Sequence, residues 1–254
     1  MENIELMLNK LKSLFWLSTL IFLTSCESDE SNEENSIFYN RVSKAILGST
    51  TLNFYYNYET YDCYIIKNGS PSNYINYYYE NGILKTSYRN NNSYEYIYEN
   101  GKIAEIHIYY LSQDYVSEKE IYTYNSNNLI TEINKYILNN GNLDFAQKII
   151  LEYDNLGNNI KKTYFNANLI ITSYEMITCD DKNNPFKNFE PKISIQHLRP
   201  FGNNILSIKF YNANDELLAE TTSTYEYNSD NFPVKSTTIY PNNPYPSVID
   251  YFYE

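Results

Sequence analysis

The sequence predicts an all-β fold, an antiparallel meander of repeated β-hairpins that curls into a barrel or an open roll, with a flat solenoid of hairpins as the alternative. Three observations carry that expectation. Apolar and polar residues alternate over segments of strand length. A short motif of one aromatic residue followed by turn-forming residues recurs along the chain. After residue 25, no long segment places its apolar residues at helical spacing, so helix is expected to be minor.

Composition permits such a fold. Of 254 residues, 43% are hydrophobic and 20% charged, enough apolar material for a core and too little charge for a disordered chain. Tyr dominates the aromatics, with 30 residues against 12 Phe and 1 Trp. A tyrosine ring fits a half-buried pleated surface while its hydroxyl stays solvated, which favours strands. An AT-rich genome enriches Asn, Ile and Tyr by codon usage alone, but that bias has no means of placing Tyr at fixed positions within repeats. The net charge is -12, from 19 basic and 31 acidic residues. No basic cluster is present to neutralise phosphates, which argues against a nucleic-acid partner.

The N-terminus reads as an export signal. Lys10 and Lys12 precede an apolar run from Leu14 to Leu23, interrupted only by Ser18 and Thr19. That run is too short to span a bilayer stably but suits the core of a signal peptide. Met7 is an alternative start that removes Glu2 and Glu5 and leaves a basic leader. The segment Leu23-Thr24-Ser25-Cys26 resembles the bacterial lipobox. That resemblance implies removal of residues 1–25, a diacylglycerol on the Cys26 thiol and acylation of its freed amine; several acyl chains anchor durably where one does not. Residues 26–37 follow as an expected solvated tether, with Glu27, Asp29, Glu30, Glu33 and Glu34 and no base. The acids also resemble the surface-export signal of some Gram-negative lipoproteins; a plain linker is the other reading. Trp16 lies in the segment to be removed, so the mature protein is expected to hold no tryptophan. The remaining residues, 38–254, read as one repeat domain.

Within that domain, Tyr79-Glu80-Asn81-Gly82 recurs as Tyr98-Glu99-Asn100-Gly101, and Tyr124-Asn125-Ser126-Asn127-Asn128-Leu129 matches Tyr227-Asn228-Ser229-Asp230-Asn231-Phe232. The segments beginning Tyr153-Asp154 and Tyr211-Asn212 are looser copies, and Cys179 to Phe186 is a degenerate one with Cys in the Tyr position. In these copies an aromatic residue ends one strand, Asn, Asp and Gly supply the tight turn, and an aliphatic residue opens the returning strand. Around these turns Ala104, Ile106, Ile108 and Tyr110 share one face opposite Glu105, His107 and Tyr109. Tyr94, Tyr96 and Tyr98 share another, and Ile149, Leu151 and Tyr153 a third. Pro185, Pro191 and Pro200 bound a stretch from Asn183 to Asn204 that alternates poorly and reads as a long loop, with room for one short helix.

These repeats resemble the YD repeats of RHS-type proteins, with Tyr153-Asp154 followed by Gly157 as the best single match, and the Tyr-Glu-Asn-Gly hairpins of MORN-variant proteins. They are also similar to uncharacterised bacterial lipoproteins whose repeat domain is described as having a porin-like fold, a likeness carried by Asp181-Lys182-Asn183-Asn184-Pro185-Phe186. RHS shells enclose toxins; this chain is far shorter and has no self-cleavage motif, so that role does not transfer. A membrane-spanning barrel is disfavoured, because charged and polar residues occur on both faces of the strands.

Chemistry is sparse. His107 reads as a solvent-face strand residue and His197 as a loop residue, far apart in sequence. Cys63 and Cys179 are candidates either for a disulfide or for two separate thiols. Asp180, Asp181, Asn183 and Asn184 offer oxygen ligands to Ca²⁺ but lack the spacing of a calcium loop, and a hairpin turn explains them better. No nucleophile elbow, phosphate loop or dinucleotide fingerprint is present. A glycosidase pair is not singled out among the many carboxylates. A non-enzymatic protein without cofactor or metal is therefore expected.

Tyr77, Tyr78, Tyr79, Tyr94, Tyr96 and Tyr98 are candidate ligand-binding residues, as a stacking platform for sugars or hot spots for a protein; cross-strand packing is the competing reading. The functional expectation is an outer-membrane lipoprotein, facing the cell surface or the periplasm, acting as a binding or scaffold module. Its expected partners are the membrane through Cys26 and an envelope protein or glycan. An envelope hydrolase is the least favoured alternative.

Overall fold

The computed structural model describes residues 42–57, 62–67, 75–80, 83–89, 92–110, 113–185 and 203–253. The signal segment, Cys26, the acidic tether and His197 lie outside them. Alternation and turn chemistry yield β1 (Val42–Leu47), β2 (Thr50–Asn57), β3 (Asp62–Lys67), β4 (Ile75–Glu80), β5 (Ile83–Arg89), β6 (Asn92–Glu99), β7 (Lys102–Tyr109) and β8 (Glu118–Tyr124). The chain continues through β9 (Ile130–Asn139), β10 (Asn142–Tyr153), β11 (Asn159–Asn166), β12 (Ile171–Cys179), β13 (Ile205–Asn212), β14 (Leu217–Tyr227), β15 (Pro233–Ile239) and β16 (Ser247–Tyr253). Among the described residues there is no helix.

All 16 strands form one antiparallel sheet in the order β3-β2-β1-β16-β15 and onward down to β4. The first and last described strands are thus neighbours, with Val42 opposite Tyr253. This order forces curvature. Laid flat, 16 strands at about 4.8 Å spacing would set β3 and β4 roughly 70 Å apart. Yet only residues 68–74 join them, a length that reaches about 29 Å at most. The sheet therefore rolls up until β3 and β4 approach within 8 Å between Cα atoms, without pairing. The result is an open roll with a seam.

Five turns share one construction. Asn125 accepts the backbone N–H groups of Asn127 and Leu129 on Oδ1, at 2.9 and 3.0 Å. Asp154, Asn166, Asn212 and Asn228 do the same for the residues two and four places on. The fourth residue of each turn is left-handed: Asn128 (φ 61°), Gly157 (81°), Leu169 (59°), Asp215 (63°) and Asn231 (61°). Asn, Asp and Gly tolerate that region; leucine is out of place there.

The sixth copy departs from expectation. The sequence places the turn at Asp180 to Asn184 with Phe186 opening the return. Instead the N–H of Asp180 donates to the carbonyl of Asn204 at 2.9 Å, as that of Asp154 does to Asn158 at 3.0 Å. Asn204 closes the turn and β13 starts at Ile205, so the long loop is an insertion inside the turn.

Between hairpins the strand pairs splay at the end of the roll where Val42 and Tyr253 lie, and tyrosine hydroxyls fill the gap. Tyr124 donates to the carbonyl of Ile103 at 2.8 Å, Tyr153 to Ile130 at 2.7 Å, Tyr225 to Ile205 at 3.0 Å and Tyr253 to Pro233 at 2.6 Å. In every case the acceptor opens the preceding strand, beyond the last paired residues of that ladder. Buried carbonyls must be satisfied, and here a side chain does what the ladder does elsewhere. This accounts for Tyr, rather than Phe, at two fixed positions of the repeat, Tyr124 and Tyr153, whereas Tyr227 at the equivalent position donates to Asp180 instead.

The interior is apolar. One cluster joins Ala45 of β1 and Tyr251 of β16 to Leu84, Tyr96, Ile106, Ile108, Tyr122, Ile133, Ile149 and Leu151 on β5 to β10. Strands that are far apart around the sheet thus meet inside it. Two charged groups are set into this wall, each carrying a tyrosine: Lys135 Nζ lies 2.5 Å from Glu120, to which Tyr122 also donates, and Tyr164 donates to Glu175 at 2.8 Å beside Lys162. The outer wall carries ion pairs, Lys148 with Glu132 at 2.6 Å and Lys161 with Glu152 at 3.4 Å, and a 2.9 Å hydrogen bond between His107 and Glu105. Apolar inside and charged outside is the reverse of a lipid-facing barrel wall.

Candidate functional site

The structure divides the six tyrosines nominated from sequence. Tyr96 is 7% exposed and shares a 2.8 Å hydrogen bond with Ser87, and Tyr94 and Tyr98 pack against the same core. These three are interior packing and not a platform: alternation puts them on one face, and the roll turns that face inward. The side chains of Tyr77, Tyr79 and Cys63 lie outside what is described. Tyr78 is on the surface, 52% exposed, and meets Tyr88 edge-on with ring centres 5.4 Å apart. Tyr88 is itself 46% exposed, so this pair offers open aromatic surface.

A second surface site was not legible in the sequence. Tyr174 and Tyr211 are cross-strand partners on β12 and β13, their rings stacked 4.8 Å apart at 10°. Lys161, on β11 at the other side of Tyr174, holds its ammonium 5.5 Å from that ring's centre. The Tyr174 hydroxyl donates to Asp215 at 2.9 Å. Burial, and then that carboxylate, hold the phenol above the usual tyrosine range, so it stays a donor. With Thr163, Ile171, Met176 and Ala213 these residues line a groove of about 590 Å³. Tyr174 is held between Lys161 and Tyr211, so neither of its faces is open for flat stacking; what the groove presents is the Tyr211 ring, a carboxylate and exposed aliphatics. Nothing in spacing links Tyr174 to Tyr211, and only the membership of Tyr211 in a repeat copy hinted at its position.

Asp180 accepts the N–H groups of Lys182 and Asn204 on Oδ1, and the Asn204 amide and the Tyr227 hydroxyl on Oδ2. With both oxygens receiving donors, it serves as a turn anchor, as its spacing had implied. Among the described residues, no three His, Cys, Asp or Glu side chains converge as a metal would need. Cys179 is a free thiol, and burial, with Asp154 and Asp180 nearby, pushes it up to about 12, far from a reactive thiolate.

No protein-family model matches the chain, and no curated protein matches it. Among solved structures, a porin-like protein from Bacteroides vulgatus ATCC 8482 superimposes with a TM-score of 0.54 at 16% identity, over 85% of this chain and 99% of that one. A porin-like protein from Bacteroides uniformis ATCC 8492 gives 0.54 at 13% identity, over 85% and 98%. At these identities the likeness is one of fold.

Proposed function

We propose, from that shared fold, that the protein is a lipoprotein of the outer membrane, anchored through Cys26, whose rolled sheet is a non-enzymatic binding or scaffold module. The observation that carries this reading is the distribution of charge: ion pairs on the outer wall, and inside it aliphatics and tyrosines with two largely buried ion pairs, Glu120–Lys135 and Glu175–Lys162. A wall of this kind stays in water, since each Lys or Arg on a lipid-facing strand costs about 2–4 kcal/mol near the bilayer centre and each carboxylate adds a smaller cost. Attachment to a membrane then needs a separate device, and the run from Lys10 to Cys26 has the features of one. The fold shared with porin-like proteins of Bacteroides supports an envelope setting. The partner is an envelope protein, met at the cell surface or in the periplasm. Labelling of cells with radioactive palmitate tests the anchor: label on the wild-type chain and none on Cys26→Ser is expected, and an unlabelled wild-type chain overturns the reading. Protease treatment of intact cells, with lysed cells as control, distinguishes surface from periplasm.

A second reading, glycan binding at the cell surface, is favoured by the exposed Tyr78–Tyr88 pair. It expects saturable polysaccharide binding that is lost in Tyr78→Ala/Tyr88→Ala. Flat titrations across a broad glycan panel overturn it.

A further inference from the structure

Because neighbouring strands are all antiparallel, the hairpin turns fall alternately at the two ends of the roll. The turns at 167–170 and 213–216 share the end opposite Val42 and Tyr253. Both are flanked by aliphatics in water: Leu169 and Ile170 are each 60% exposed, Ile171 43%, Leu217 51% and Leu218 47%. Leu169 is the more telling because it occupies the left-handed position (φ 59°) that Asn, Gly or Asp fills in the other four turns of this construction. A leucine there meets a steric cost and exposes apolar surface as well. Folding alone gains nothing from it.

We propose that this rim is a membrane-contact site, in which the two turn tips enter the interface of a zwitterionic bilayer and the adjoining groove receives ammonium headgroups. Two observations choose this occupant. The first is charge: Asp215 and Glu216 stand at the tips beside the Tyr211 ring, against the single Lys161, whose ammonium is already seated over the Tyr174 ring, and this excess of carboxylate suits the ammonium of choline or ethanolamine and disfavours anionic lipid. The second is reach, which rests on the lipoprotein reading above. The anchor enters at the opposite end of the roll, but residues 26–41 extend to about 55 Å, whereas the longest strand, β10, rises only about 40 Å. The rim can therefore touch the bilayer that holds Cys26, laying the roll against the membrane.

Flotation of the unlipidated mature chain, carrying Cys26→Ser, on phosphatidylcholine–phosphatidylethanolamine vesicles tests this directly. The wild-type rim is expected to float, to float less on phosphatidylglycerol-rich vesicles, and to lose about tenfold or more of its binding in Leu217→Asp/Leu218→Asp. Leu169→Gly suits the turn and removes one apolar side chain, so it is expected to weaken flotation while the circular dichroism spectrum stays that of the folded chain. Absence of flotation, flotation indifferent to these changes, or dimerisation sensitive to them without flotation each overturns the proposal. None of these bears on the anchor, which palmitate labelling reads separately.

Discussion

The hydroxyl of Tyr153 donates to the carbonyl of Ile130, 2.7 Å away and 23 positions earlier, at the fork where β9 and β10 part. Tyr124, Tyr225 and Tyr253 repeat that relationship with Ile103, Ile205 and Pro233. Each bond ties the end of one strand to the start of its predecessor, so the repeats are coupled through side chains as well as through the ladder. Removing one hydroxyl leaves a buried carbonyl without its donor. Tyr153→Phe and Tyr124→Phe are each expected to cost about 1 kcal/mol, read as a lower urea midpoint at unchanged slope. An unchanged midpoint in both would show that water serves the carbonyls equally well.

The pair Glu120–Lys135 lies in the inner wall, with the Tyr122 hydroxyl on the same carboxylate. Burial works against the Lys135 charge, and the neighbouring Glu120 outweighs it, holding the ammonium above its ordinary value. Lys135→Met strands a buried carboxylate and is expected to destabilise by about 2 kcal/mol or more, whereas Glu120→Leu/Lys135→Met recovers most of that loss. A double variant no better than the single one would contradict this.

Alkaline pH should unfold the protein before its tyrosines ionise. Burial raises the phenols of Tyr96, Tyr124, Tyr153 and Tyr253 well above the unfolded value of about 10. A raised acid keeps its neutral form in the fold, so its contribution is intact below about pH 10 and is lost as pH climbs beyond. Cys179, at about 12 when folded, adds a loss that begins earlier, near the ordinary thiol value of about 8.5. Absorbance at a phenolate wavelength and far-ultraviolet circular dichroism are expected to change together in one steep step. Phenolate appearing gradually from about pH 10 with the fold intact would contradict the burial of these rings.

Leu169→Asn restores to the fourth turn position the residue type found at Asn128 and Asn231. A gain of about 1 kcal/mol is expected, from relief of the left-handed strain. A loss would mean that Leu169 makes contacts in the fold that outweigh its backbone.

What the sequence made legible was local. The turns at Asn125, Asp154, Asn212 and Asn228 were readable because the accepting side chain and its two donors lie within five residues. The equivalent turn at Asn166 escaped because Leu169 stands where a turn residue is expected. The Asp180 turn was located but closed with the wrong partner, since Asn204 is 24 positions away. Alternation grouped Tyr94, Tyr96 and Tyr98 on one face correctly, yet whether a face ends up inside depends on the direction of curling. That the sheet must curl at all depends on its strand order, in which β1 pairs with β16 and β3 is brought back to β4, contacts no local pattern encodes. The groove at Tyr174 and Tyr211 is hidden for the same reason.

Detergent phase partitioning of wild-type and Cys26→Ser chains expressed in the same cells tests the central claim most directly. If the roll is a water-soluble body held by a lipid, the wild-type chain enters the detergent phase and Cys26→Ser moves to the aqueous phase. A Cys26→Ser chain that stays in the detergent phase, and stays with membranes even when it also carries Leu217→Asp/Leu218→Asp to remove the rim contact, would mean that the wall itself is inserted, and would contradict the account.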